Sequence, residues 1–166
     1  MRVPFPSNDW ATPSYLIDEL KAQYSLSFFD PCPLNNDINL FNGLKVEWPH
    51  LTFVNPPYDL KNKTAFVTKA HQESLDGKTI ILLLPVSTST KLFHDVIYPH
   101  AKITFLDHRP RYEGINTKNQ WVNPGQAPSS PGILKLREYA SNLEQVNSPG
   151  AHDAMVITFN GKAFKL

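Results

Sequence analysis

An unbroken apolar run at residues 79–84, Thr-Ile-Ile-Leu-Leu-Leu, constrains the fold of this chain more than any other feature. Pro85 closes the run, so its length is that of a strand rather than of a helix. A strand that is apolar on both sides is typical of a parallel sheet covered by helices on both faces. The run therefore predicts an α/β fold with a mostly parallel sheet.

The flanking patterns alternate between strands and helices, which also indicates an open α/β sheet. With 166 residues, the chain is predicted to form a single domain over residues 1–166, with a loop-rich segment at 107–150. Thr12 and Pro13 are predicted to begin the first helix, as its N-cap and first helical position. The other predicted elements are strands at 26–29, 51–54, 103–106 and 154–159, and helices at 62–75, 88–98 and, as a weaker pattern, 133–145.

Several classes of protein and site are disfavoured by composition. Cys32 is the single cysteine, so it cannot form an internal disulfide, and its setting predicts a packing residue rather than a nucleophile. The six histidines show no metal-ligand spacing, so no metal is expected. No window has the length of a membrane span and the N-terminus lacks a signal-peptide core, so a cytoplasmic protein is expected. The net charge of +1 gives the whole molecule no strong attraction to nucleic acid.

The NPPY segment (Asn55, Pro56, Pro57 and Tyr58) directly follows a predicted strand, at the edge where open α/β sheets bind ligands. The side-chain oxygen of Asn55 and the carbonyl oxygen of Pro56 can each accept one hydrogen of an NH₂ group. Holding both hydrogens draws the nitrogen lone pair out of conjugation and lets it attack a methyl group. Tyr58 offers a flat face for stacking on a planar substrate. A plain Pro-Pro turn is the alternative interpretation.

Further motifs occur in a fixed order around this segment. The series resembles the phage-type (Dam family) DNA adenine-N6 methyltransferases, which use S-adenosylmethionine. The resemblance covers residues 10–107 and the strand near 154–159, and it implies a compact Rossmann-like methyltransferase fold with a shortened sheet. Its motifs are Trp10-Ala11-Thr12-Pro13, Phe29-Asp30-Pro31-Cys32, Asn42-Gly43-Leu44 followed by Trp48, the NPPY segment and Leu83-Leu84-Pro85.

The resemblance implies roles for individual residues. The NPPY segment is implied to be catalytic, Thr12 and Pro13 to line the pocket of the methionine part, and Asp30 to lie near the cofactor. Because these elements can converge at one sheet edge, the predicted cofactor site comprises Trp10, Thr12, Pro13, Asp30, Pro31 and Asn55. Asp37 is a further candidate, for the ribose hydroxyls, although a solvated turn aspartate is the favoured interpretation.

This sequence departs from the family pattern in two places. The family's D-G-L is Asn42-Gly43-Leu44 here, which removes a carboxylate able to contact the cofactor. No G-x-G follows Asp30, and the short distance to Asn55 predicts a shortened sheet in which residues 32–50 fold over the cofactor.

The loop-rich segment at 107–150 is the candidate for target recognition. It carries Arg109, Arg111 and Trp121, and basic residues interleaved with aromatics suit phosphate neutralisation and base stacking. Together with Tyr58, these residues form the predicted nucleic-acid contact. A solvated loop with a buried Trp121 is equally compatible with the sequence.

The predicted function is methylation of the exocyclic N6 of adenine in DNA, with DNA as the partner. Enzymes that methylate RNA or protein glutamine through a similar tetrad remain an alternative. A second alternative is a non-catalytic module that binds nucleic acid or cofactor. A third is a subunit that needs a partner to bind its target. The oligomeric state is left open.

Overall fold

The structure, a computed structural model, describes residues 12–24, 27–33, 39–110, 114–115, 121–122 and 152–161. Its helices are α1 (Ser14–Tyr24), α2 (Leu60–Leu75) and α3 (Tyr98–His100), the last preceded by a π-helical turn at Phe93–Ile97. Its strands are β1 (Leu51–Val54), β2 (Thr79–Pro85), β3 (Lys102–Phe105), β4 (Gly114–Ile115), β5 (Trp121–Val122) and β6 (Ala154–Phe159).

The main sheet of the described residues has the strand order β1-β2-β6-β3. The β1–β2 pair is parallel, but β6 is antiparallel to both β2 and β3. Two of the three pairings are therefore antiparallel, and the prediction of a mostly parallel, Rossmann-like sheet is not confirmed. The apolar run in β2 predicted burial on both faces correctly, but burial does not reveal the direction of a neighbouring strand.

Side chains of β2 alternate between two apolar clusters, one on each face of the sheet. Ile80, Leu82 and Leu84 join the cluster formed with α2 and the π-helical turn. Ile81 and Leu83 join the cluster formed with α1. All five side chains are buried, so the central strand holds helices against both faces at once.

The predicted elements are largely present, with shifted boundaries. Helix α1 begins at Ser14, and the Pro13 carbonyl accepts from the amides of Leu16 and Ile17, so Pro13 precedes the first helical residue. The predicted helix at 88–98 begins later, because the Thr90 hydroxyl accepts from the Phe93 amide and caps it. The predicted strand at 26–29 is reduced to one bridge between Phe29 and Thr52, and Leu26 lies outside the described residues.

A buried carboxylate on α2 gathers two lysines and a backbone amide. Glu73 accepts from Lys69 Nζ at 2.7 Å, from Lys78 Nζ at 2.6 Å and from the Trp48 amide at 3.4 Å. Burial alone would raise the pKa of Glu73, but the hydrogen bonds from Lys69 and Lys78 outweigh it and hold the pKa below its usual value. The ionised form is thus favoured in the folded protein, and it links α2 to the chain around Trp48.

We expect Glu73→Gln to lower the free energy of unfolding by about 1.5–3 kcal/mol at neutral pH, because charged hydrogen bonds to two lysines are lost. A depressed folded-state pKa contributes stability that is present above the unfolded pKa and is lost as pH falls through the folded one. The difference between parent and variant, measured by urea denaturation, should therefore shrink on acidification. A difference that does not change with pH would contradict this assignment.

The matched control is Glu47→Gln. Glu47 pairs with the same Lys78 at 3.0 Å, but its side chain is 85% exposed. Exposed ion pairs contribute little, so this variant should stay within about 0.5 kcal/mol of the parent.

Candidate active site

Strand direction brings the predicted site residues to one edge of the sheet. Since β6 is antiparallel to both β2 and β3, the strands β1, β2 and β3 all point the same way. Phe29 continues this arrangement beyond β1, because its amide donates to Leu51 O and its carbonyl accepts from the Phe53 amide in a parallel bridge. Asp30 and Asn55 therefore leave adjacent parallel chain segments at the same carboxyl edge, where open α/β sheets bind ligands.

The NPPY segment lies between β1 and α2, with both ends fixed. Pro56 is buried, whereas Asn55, Pro57 and Tyr58 are half-buried. The Tyr58 hydroxyl donates to the Leu83 carbonyl of β2 at 3.5 Å, which ties the tyrosine to the central strand. The segment is therefore held at the sheet edge with half-buried side chains that a planar ligand can reach.

Asp59, directly after this segment, caps the N-terminus of α2. Its carboxylate accepts from the Asn62 amide at 3.0 Å and from Asn62 Nδ2 at 2.9 Å, which is a side-chain N-cap. These hydrogen bonds hold the pKa of Asp59 below its usual value. The start of α2 at Leu60, two residues after Tyr58, is thus fixed by this cap.

The turn after Phe29 holds the predicted acidic cofactor residue. Desolvation raises the pKa of Asp30 above its usual value, although the Cys32 amide donates to its carboxylate at 2.8 Å and acts in the opposite direction. Pro31 is buried, and Cys32 is half-buried against the α2-side core, as predicted for a packing residue. Asp30 is therefore a surface residue whose carboxyl group is partly enclosed by protein.

The chain at 39–50 contacts this turn through Gly43, which lies against the backbone of Pro31. The Asn42 side-chain oxygen accepts from the Leu44 amide at 3.0 Å, and the Asn42 carbonyl accepts from the Lys45 amide at 2.9 Å. Asn42 thus closes its own turn, a role that aspartate performs equally well. An aspartate in place of Asn42 would therefore close the same turn.

A contact that the sequence did not predict ties α1 to the same edge. The Tyr15 hydroxyl and His108 Nε2 are 2.6 Å apart, and His108 Nδ1 lies 2.7 Å from Asp107 Oδ1. The hydrogen bond with His108 lowers the pKa of Asp107. Because Tyr15 follows Thr12 and Pro13, this chain of hydrogen bonds brings the start of α1 to the carboxyl end of β3. No local pattern joins residues 93 positions apart.

The described residues that flank the loop-rich segment meet at the carboxyl edge. The Asp153 carbonyl accepts from the Val86 amide just after β2, and Ala154 O accepts from the Leu106 amide just after β3. Arg109 Nε donates to Asp153 Oδ1 at 2.8 Å. Arg109, predicted to contact nucleic acid, therefore uses one of its nitrogens in an internal ion pair, although its side chain remains 47% exposed.

The other predicted site residues are described only in part or lie outside the described residues. Trp121 pairs with Ile115 in the short β4–β5 ladder, and nothing is described of its side chain. Trp10, Asp37 and Arg111 lie outside the described residues, as does the predicted helix at 133–145. Thr12 is half-buried and Pro13 is buried at the start of α1.

The described part of the chain shows neither a metal-binding cluster nor a membrane-spanning helix. Among those residues, no group of three or more His, Cys, Asp or Glu side chains converges to hold a metal ion. None of the helices described there is long and apolar enough to cross a membrane.

Comparison with known proteins identifies the family of this chain. Residues 4–156 match the family described as DNA N-6-adenine-methyltransferase (Dam). The chain is also 32% identical, over 139 residues, to a DNA N-6-adenine-methyltransferase of Haemophilus phage HP1 (strain HP1c1), and the match covers 78% of each protein. No solved structure was found to match the chain.

We expect Asn42→Asp to leave the melting temperature nearly unchanged, because a carboxylate oxygen can accept from the Leu44 amide in the same turn. Asn42→Ala removes that acceptor and should cost about 1 kcal/mol. Thermal melting of both variants beside the parent tests this assignment. Equal destabilisation by the two substitutions would show that the side chain acts elsewhere.

Proposed function

Since the chain belongs to the DNA N-6-adenine-methyltransferase (Dam) family, its reaction is methylation of adenine N6 in DNA, and we propose that the NPPY segment carries it out with S-adenosylmethionine as methyl donor. The observation that carries the proposal is the position of Asn55 beside Asp30 at the carboxyl edge. Methylation of RNA or of protein glutamine, and a non-catalytic role, are less consistent with the family.

The cofactor proposal rests on the chemistry of the groups at this edge. The Asp30 carboxylate is an acceptor suited to hydroxyl or ammonium hydrogens, and Pro31, Asn55, Thr12 and Pro13 complete the described part of the proposed site. Trp10 and, less strongly, Asp37 are proposed from the sequence alone. The residues present therefore fit S-adenosylmethionine, which when bound supplies an electrophilic methyl group on a positively charged sulfur.

In the proposed reaction, Asn55 and Pro56 hold the adenine amine. The Asn55 side-chain oxygen and the Pro56 carbonyl accept its two hydrogens, so the nitrogen lone pair is available for attack. The Tyr58 ring stacks on the adenine, which must first be flipped out of the duplex at a cost of a few kcal/mol. An amide is not a base at neutral pH, so Asn55 acts by position and by its dipole. The surplus proton leaves to water after methyl transfer.

Target binding is proposed for the segment at 107–150. Leu106 and Asp153, which flank this segment, lie at the carboxyl edge beside the end of β2, the strand to which Tyr58 is hydrogen-bonded. Arg109 and Arg111 are proposed to contact phosphates, and Trp121 to stack on a base. The proposed setting is the cytoplasm of the host cell, where the DNA substrate is found.

Asn55→Ala should keep the fold and S-adenosylmethionine binding but slow methyl transfer by about 100-fold or more, since one preorganised acceptor is lost. Transfer of a tritiated methyl group to DNA measures the rate, and calorimetry measures cofactor binding. Ser89→Ala, at an exposed position after β2, is the matched control and should behave as the parent. An unchanged rate in Asn55→Ala would reduce the NPPY segment to a structural turn.

Arg111→Ala should weaken binding to all DNA sequences and lower the slope of log K against log salt by about one, as expected for one lost phosphate contact. Fluorescence anisotropy at several salt concentrations measures both effects. Lys21→Ala, an exposed cation in the last turn of α1, is the control and should leave the slope unchanged.

Trp121→Ala should reduce DNA affinity by about 1–3 kcal/mol if the ring stacks on a base. If the ring is buried instead, the variant should melt at lower temperature and keep its affinity. Parent-like DNA binding and methylation by both Arg111→Ala and Trp121→Ala would contradict the proposed recognition segment.

A further inference from the structure

We propose that Gly43 and Trp48 are positioning residues for the cofactor site, which hold the turn at Asp30 and Pro31 in a fixed place relative to α2. The inference rests on the proposed function, since it assumes that Asp30 faces S-adenosylmethionine. It assigns no contact with the cofactor to Gly43 or Trp48. Both act through the backbone that carries Asp30.

Gly43 lies against the backbone of Pro31 with no room for a side chain. A Cβ atom at position 43 would lie 1.8 Å from the Pro31 carbonyl oxygen and 2.7 Å from its carbonyl carbon. These atoms belong to the main chain and cannot rotate away as the end of a flexible side chain can. Glycine is required here by close approach, and any larger residue must push the turn at Asp30 and Pro31 aside.

Trp48 fixes Gly43 in turn. Its Nε1–H donates to the Gly43 carbonyl at 2.8 Å, and its ring is fully buried. The ring stacks on Phe66 with centroids 6.2 Å apart, and Lys69 Nζ lies 5.2 Å from the ring centroid. Trp48 is therefore held against α2 on one side and against Gly43 on the other.

Helix α2 is the element shared by the two halves of the proposed site. Its first residue follows the NPPY segment and the Asp59 cap, and its later turns carry Phe66, Lys69 and Glu73 against Trp48. Asn55 is thus connected to α2 through the chain, and Asp30 through Pro31, Gly43 and Trp48. Tight binding needs the groups that contact a ligand to be held in place before it arrives, and this connection holds Asp30 in place.

The test uses two variants of the whole chain. Trp48→Phe keeps an aromatic ring against Phe66 but removes the donor to the Gly43 carbonyl, and Gly43→Ala forces the turn to move. We expect each to raise the dissociation constant for S-adenosylmethionine, measured by calorimetry without DNA, by about tenfold or more. The KM for S-adenosylmethionine should rise in parallel, while kcat at saturating cofactor and the affinity for DNA change by less than about threefold.

Ile97→Val is the matched control. It removes one methyl group from a buried side chain of the same core cluster and leaves Trp48, its hydrogen bond to Gly43 and its stacking on Phe66 in place. It should therefore lower the melting temperature yet keep parent-like cofactor affinity. If Trp48→Phe folds and binds S-adenosylmethionine as the parent does, the inference is wrong and the proposed function is unaffected. If the folded parent binds no S-adenosylmethionine, the donor assignment and this inference both fail. Should Gly43→Ala not fold, Trp48→Phe alone decides.

Discussion

Burial of β2 on both faces is the constraint on which the rest of the structure depends. Its side chains alternate between the cluster under α1 and the cluster under α2, so both helices are positioned by one strand. β1 is parallel to β2 and leads directly into the NPPY segment. The register of this pair therefore also fixes where Asn55 lies at the carboxyl edge. The Tyr58 hydroxyl in turn donates to the Leu83 carbonyl of β2. The most apolar segment of the chain thus positions the residues of the candidate site.

Local patterns in the sequence were sufficient for the elements and for the site's general position. The apolar run at 79–84 predicted a doubly buried strand, and the strand at 154–159 was predicted with its exact limits. Asn55 was placed after a strand because proline ended an apolar run. Each of these inferences depends on neighbours in sequence, where periodicity and turn chemistry act directly.

Contacts between residues far apart in the sequence could not be predicted from these local patterns. The pairing of β6 between β2 and β3 makes two of the three strand pairs antiparallel, and it depends on which strand edges are still unpaired when β6 packs. The Tyr15–His108 bond and the close approach of Gly43 to Pro31 depend on packing of separate elements. Ion pairs are also not visible in the composition. The chain has 16 Lys and Arg residues, but Lys69, Lys78 and Arg109 are paired internally. The cations available for DNA are therefore fewer than composition suggests.

The central place of β6 sets the order in which this fold can be completed. β1, α2 and β2 are consecutive in the chain, and their contacts form across short loops. β6 can pair with β2 and β3 only after the long segment between β3 and β6 has been synthesised. Until then β2 and β3 each present an unpaired edge to whatever is nearby, which is where strands of other molecules add on. The last strand in the described part of the chain is thus the one that joins β2 to β3, and removing it would leave an unpaired edge on each of them.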